Sequence, residues 1–138
     1  MVTKTKRQRA RRLPSEDRID AIVLAAREVF ESKGYEGAST AEIATRAGVV
    51  EGTIYRYFDT KLDLLIKVVG IWYEAMLADY AEQLAGIRGT WNRLRFIIWW
   101  QLKIVHNDPR MSSLIYYELR QRPEYRNTTL FKLNREYT

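Results

Sequence analysis

The sequence predicts an all-α fold, and three observations carry the prediction. Apolar residues recur at helical spacing where Ile19, Ile22, Val23, Ala26, Val29 and Phe30 share one face. Polar pairs stand where helices begin: Ser39 with Glu42, Thr60 with Asp63, and Asp108 with Pro109. No persuasive strand pair and no internal repeat compete with that reading.

The first helix begins after Pro14 and Ser15 and stops at Gly34. Ser39 caps the second, with Glu42 closing a capping box and Ile43, Ala44 and Ala47 turned inward. Gly48 supplies a left-handed turn into a third helix from about Val50 to Tyr57, held inward by Ile54 and Phe58. Thr60 and Asp63 form a second capping box and open a long fourth helix, from Lys61 to about Ala85, that ends at the punctuation between Gly86 and Gly89. A fifth helix spans about Thr90 to His106, and a sixth starts at Asp108-Pro109 and runs to about Arg122. Pro123 interrupts, and another helix follows from Glu124 toward the terminus. The chain divides into a basic flexible arm (residues 1–14), a helix-turn-helix head (residues 15–60) and a helical regulatory domain (residues 61–138).

Chemistry concentrates between Ser39 and Lys61. Ala44, Gly48 and Ile54 have the spacing of a close helix corner: a small residue for approach, a glycine for the turn, a branched residue to lock the second helix on the first. The outer faces of the third helix present Glu51, Gly52, Thr53, Tyr55, Arg56 and Tyr57, hydrogen-bonding groups with one fixed cation suited to base edges and phosphates in a major groove. Lys61 places a cation in the first turn of the fourth helix, where the macrodipole favours anions, and a phosphate partner would explain it. The expected partner is double-stranded DNA carrying an operator.

These residues resemble a known family. Ala25-Ala26-Arg27-Glu28-Val29-Phe30, Lys33-Gly34-Tyr35, Ala47-Gly48-Val49, Gly52-Thr53-Ile54-Tyr55-Arg56-Tyr57-Phe58 and Lys61-Leu62-Asp63-Leu64-Leu65 look like the N-terminal DNA-binding part of the TetR (tetracycline-repressor) family. The resemblance implies that Thr40, Thr53, Tyr55, Tyr57 and Lys61 hold phosphates and that Ala41, Glu51, Gly52 and Arg56 lie near bases. It also implies a one-component transcriptional regulator, usually a repressor and a homodimer, released by a small molecule bound in the second domain. Two positions depart from the pattern: Glu51 stands where many members carry lysine, glutamine or a small residue, and Ala41 is too short to hydrogen-bond a base. Family chains typically continue through further helices that form the dimer interface, so a chain ending at Thr138 reads either as a shortened form or as one without the family's usual dimer surface.

Charge agrees with an anionic partner. The net charge is +6, and Lys4, Lys6, Arg7, Arg9, Arg11 and Arg12 account for all of it, leaving 17 cations to balance 17 acids. Such an arm suits the DNA backbone or an adjacent minor groove. No cysteine is present, which removes disulfides and thiolate metal sites, and the longest apolar run, Phe96 to Trp100, is far too short to cross a bilayer. A cytoplasmic protein without metal or cofactor is expected. His106 is the only histidine, with no nucleophile or phosphate loop around it, so no catalytic residue is assigned.

The second half is rich in large apolar groups. Trp72, Met76, Trp99, Trp100, Tyr116 and Tyr117 are candidates to line a cavity for an apolar or aromatic effector, although aromatics at helical spacing more often serve as core. The run from Phe96 to Trp100 is apolar on nearly every face, which implies burial on several sides by a pocket or a subunit interface. An all-helical protein-interaction module with a vestigial helix-turn-helix is the alternative function.

Overall fold

The computed structural model describes residues 15–137, which fold into helices joined by short turns. The basic arm lies outside the described residues. Helix α1 (Ser15–Gly37) buries Ile22, Val23, Ala25, Ala26, Val29 and Phe30 and carries Glu16 and Asp17 in its first turn, where they oppose the helix dipole. Its regular geometry breaks at the expected glycine: Gly34 has φ 74° and ψ 176°, a conformation that only glycine adopts easily. A further turn follows, so the helix reaches Gly37, with Tyr35 buried beyond the break.

Helix α2 (Thr40–Ala47) starts where Ser39 Oγ accepts the Glu42 N–H at 3.1 Å. Glu42 does not close the expected box, because its carboxylate is drawn to Lys33 Nζ at 2.6 Å. Gly48, at φ 68°, ends α2, and Val49 N–H returns to Ala44 O at 3.0 Å. Helix α3 (Glu51–Tyr57) buries Ile54, and Thr60 and Asp63 make the full reciprocal box that opens α4 (Lys61–Ala85). Helix α5 (Thr90–Asn107) follows a turn through Gly89.

Asp108 caps α6 (Pro109–Ser113) as its sequence position predicts, but the helix does not continue as a single α-helix to Arg122. It widens into a π turn over Leu114–Leu119, with Arg120 N–H bonded to Ile115 O at 2.9 Å. A five-residue hydrogen-bond step brings residues five apart onto one face, which lets Leu114 and Leu119 enter the core together. A 3-10 turn (Pro123–Asn127) and α7 (Thr129–Tyr137) complete the described chain.

A single cluster of buried side chains runs from Ile22 and Phe30 through Ile43, Ile54 and Leu64 to Met111, Leu119 and Leu130, crossing the sequence boundary near residue 60. Helix α5 stands apart. Burial on several sides was expected for Phe96 to Trp100, yet Trp100 is the only residue of α5 that is fully buried. The cause is its neighbours: α5 packs mainly on α4 and α6, which cover one side. Trp91, Leu94, Ile98, Leu102 and Val105 form an exposed stripe on the other, with Trp91 78% and Leu102 67% accessible. Among the described residues no helix is long and apolar enough to cross a membrane.

The break at Gly34 supplies the first prediction. A Cβ there would meet nothing closer than Glu118 Oε1 at 3.6 Å, so the penalty for Gly34→Ala is conformational rather than steric. It should lower stability by about 1–3 kcal/mol in urea denaturation, and an unchanged midpoint would mean that the positive φ is not held in solution.

Candidate nucleic-acid interface and effector cavity

The turn at Gly48 presents α3 on α2 through Ile43, Ala44 and Ile54, none more than 2% exposed. The opposite faces of the pair carry the candidate residues. Ala41, Glu51, Gly52, Tyr55 and Arg56 are exposed, Thr53, Tyr57 and Lys61 are half-buried, and Thr40 is buried. Apart from its chain neighbours and the backbone of its own helix, no heavy atom of the described residues lies within 4 Å of where a Gly52 Cβ would stand, so the backbone there is open to a large partner. Arg56 takes part in no ion pair among the described residues, whereas Arg46 is held by Glu28 at 3.4 Å and Glu42 at 3.8 Å.

Three of the candidates are joined to one another. Thr40 Oγ1 donates to Glu51 Oε1 at 2.5 Å and lies 3.1 Å from Tyr55 Oη. A threonine hydroxyl has one proton, and the carboxylate takes it, so Tyr55 is the donor in the second bond. The result is a polar clasp between α2 and the first and second turns of α3.

Lys61 has found a different partner from the one its sequence position implies. Its ammonium donates to Tyr35 O at 2.8 Å and Ala38 O at 3.1 Å and sits 4.3 Å from the centroid of the Tyr35 ring. These carbonyls, freed by the break at Gly34, offset the unfavourable end of the α4 dipole without an external anion. An ammonium has three donors, and these two carbonyls use two of them. Tyr35 is flanked by a second cation, the Arg122 guanidinium, 4.1 Å from the ring centroid and 2.7 Å from Glu36 Oε1. Burial pushes the Tyr35 phenol above its ordinary pKa, and the nearby Arg122 offsets part of that. Arg27 of α1 reaches the Asp108 cap at 2.9 Å, a second tie between the head and the α6 segment.

The head is not basic by itself. Residues 15–60 hold five cations against nine acids, so long-range attraction to a polyanion has to come from the arm.

Between α4, α5, α6 and α7 lies a cavity of about 280 Å³. It brings Trp72, Met76 and Tyr116 together, as the aromatic content suggested. Trp100 instead lines an adjoining groove with Trp72 and Met76, while Trp99 and Tyr117 are 51% and 77% exposed and point the candidate list beyond the cavity walls. Tyr73 also lines it, and sequence reasoning missed the rest of the polar lining: Gln101, Ser112, Arg120 and Asn134. Tyr73 Oη donates to Asn134 Oδ1 at 2.6 Å, and Arg120 Nη2 donates to the same oxygen at 2.8 Å. Burial raises the Tyr73 pKa, with Arg120 pulling the other way. Arg120 sits among Glu118, Gln121 and Arg122 in the chain, a run that reads as solvated surface until the π turn is known.

Comparison with known proteins gives a consistent picture. The family model for bacterial regulatory proteins of the tetR family matches residues 22–68. The transcriptional activator FasR of Mycolicibacterium smegmatis is 30% identical over 109 residues, covering 79% of this chain and 50% of that protein. The transcriptional regulator TtgW of Pseudomonas putida is 30% identical over 99 residues, covering 70% of this chain and 71% of that one. The crystal structure of FadR from Bacillus subtilis in complex with stearoyl-CoA superposes with a TM-score of 0.62 at 29% identity, over 88% of this chain and 63% of that one. The chain spans about half the length of FasR and of the fatty acid metabolism regulator of Bacillus subtilis.

The clasp is testable without DNA. Thr40→Val leaves the side-chain shape and removes the hydroxyl, and should destabilise the fold by about 1 kcal/mol. A double-mutant cycle with Glu51→Ala should return a coupling of at least about 0.5 kcal/mol; strictly additive losses would show that the two side chains are not bonded in solution.

Proposed function

The chain belongs to the tetR family of bacterial regulatory proteins, and from that membership we propose that it is a ligand-responsive transcriptional regulator, a repressor that reads an operator in the major groove. The observation that carries the reading is the α2–Gly48–α3 corner, with an open backbone at Gly52 and, on its outer face, an Arg56 that enters no ion pair among the described residues. Arg56, Glu51, Gly52 and Ala41 are assigned to the base edges, and Thr40, Thr53, Tyr55, Tyr57 and Lys61 to phosphates. The arm of residues 1–14 supplies the charge that the head lacks. Residues 15–60 form the reading unit and residues 61–138 the regulatory unit, working in the cytoplasm where the DNA is.

The regulatory half is assigned a small effector with an apolar body, seated in the α4–α7 cavity. FadR crystallised with stearoyl-CoA supports that class of ligand. The exposed apolar stripe of α5 supports a homodimer, since a row of that kind is normally covered in the working assembly. Release requires coupling: the effector must bind the arrangement that leaves DNA more tightly than the one that holds it.

Selection of bound duplexes from a random pool tests the reading directly. On the selected duplex, deletion of residues 1–12 should lower the magnitude of the log-log salt slope by up to about 5 per subunit, from six cations at roughly 0.9 each. Binding that ignores salt throughout would favour a protein-interaction module instead.

Gly52→Ala should leave stability intact, because the site is open, and still weaken the selected duplex about tenfold or more, roughly 1.4 kcal/mol. Full retention of binding would place the duplex elsewhere. Arg56→Ala should relax the preferred sequence at one position rather than weaken all duplexes equally.

A further inference from the structure

Two buried polar atoms on the wall of the α4–α7 cavity have no hydrogen-bond partner among the described residues: Ser112 Oγ, in a residue only 3% exposed, and Arg120 Nε. Arg120 also enters no ion pair among the described residues. Its guanidinium lies 4.6 Å from the centroid of the Tyr116 ring and donates through Nη2 to Asn134, and both of those groups are neutral. The acids nearest in sequence, Glu118 and Glu124, form no ion pair with it among the described residues, and Asp108 is held by Arg27. A half-buried guanidinium with one N–H unmet and no counter-ion is unfavourable unless something from outside completes it. A buried serine hydroxyl without a partner on the same wall makes the same demand.

We propose that the cavity binds a monocarboxylic acid with an apolar body, its carboxylate accepting from Arg120 and Ser112 and its hydrocarbon lying against Trp72, Met76, Ile104 and Ile115. This rests on the cavity being the effector site and adds the charge of the effector to that reading. A guanidinium is matched in shape and charge by a carboxylate, which can take two donors at once. The apolar residues on the remaining wall accept the tail. A cavity of about 280 Å³ lies at the small end of ligand pockets and suits a slender medium-chain acid rather than a bulky one.

Decanoate and decanamide, equal in length and both carrying a carbonyl oxygen, isolate the charge. Titrated against the tryptophan emission of the wild-type chain, decanoate should bind at least tenfold more tightly. Arg120→Gln should abolish that preference, and Arg120→Lys, which keeps the charge and loses the planar fork, should retain part of it. Equal affinity for the two probes in the wild type, no binding of either, or a preference that survives Arg120→Gln would each overturn the assignment, and the wild-type comparison decides even if a variant fails to fold. Duplex affinity measured with saturating decanoate separates the two readings. Decanoate held by Arg120 without effect on DNA sustains the carboxylate site and removes the regulatory role, whereas release of DNA by decanamide as readily as by decanoate does the reverse.

Discussion

The arrangement turns on Tyr35 and the two cations that flank its ring. The break at Gly34 swings the chain out of α1, buries Tyr35 and frees the carbonyls of Tyr35 and Ala38, which Lys61 then takes. The Arg122 guanidinium also lies over the ring. Each cation–π contact contributes about 0.5–1 kcal/mol when partly exposed and more when desolvated. Three segments far apart in sequence, the end of α1, the start of α4 and the stretch that follows the π turn, are thereby fixed to one another. The reading corner hangs from the first two, and the cavity wall belongs to the third.

The α6 segment consequently serves both halves. Ser112, Ile115, Tyr116 and Arg120 line the cavity, while Leu114 and Leu119 sit in the common core and Arg122 rests on Tyr35. At its start, Asp108 caps the helix and holds Arg27 of α1. A displacement on the cavity side has a short mechanical route to the head through these contacts, alongside the long rod of α4. The π turn matters because it lets neighbouring residues of one short element face two different environments.

Features decided within a few residues were legible in the sequence. The Thr60–Asp63 box, the Asp108 cap, the Gly48 turn and both ends of α4 stand where local chemistry places them. What escaped depends on distant partners. Glu42 fits a capping box until Lys33, nine residues earlier, competes for its carboxylate. Lys61 reads locally as a lone cation at a helix start, and the carbonyls of Tyr35 and Ala38 that take two of its three donors come from more than twenty residues away. The exposure of α5 could not be read from its apolar content, because periodicity shows what a helix would bury and not whether a neighbour exists. Arg120 escaped for the same reason: only the π turn decides which way residues 114 to 119 carry the chain.

The Thr40–Glu51–Tyr55 clasp bears on how a duplex would be received. Its hydroxyls are already engaged when the protein is alone, so an arriving phosphate or base exchanges one partner for another instead of filling an empty valence. Exchange of that kind contributes little net enthalpy. A correct sequence would repay the bonds it breaks, and a wrong one would leave a carboxylate facing the phosphates with nothing in return. If the corner reads DNA as proposed, discrimination there would work by the expense of a mismatch more than by the reward of a match.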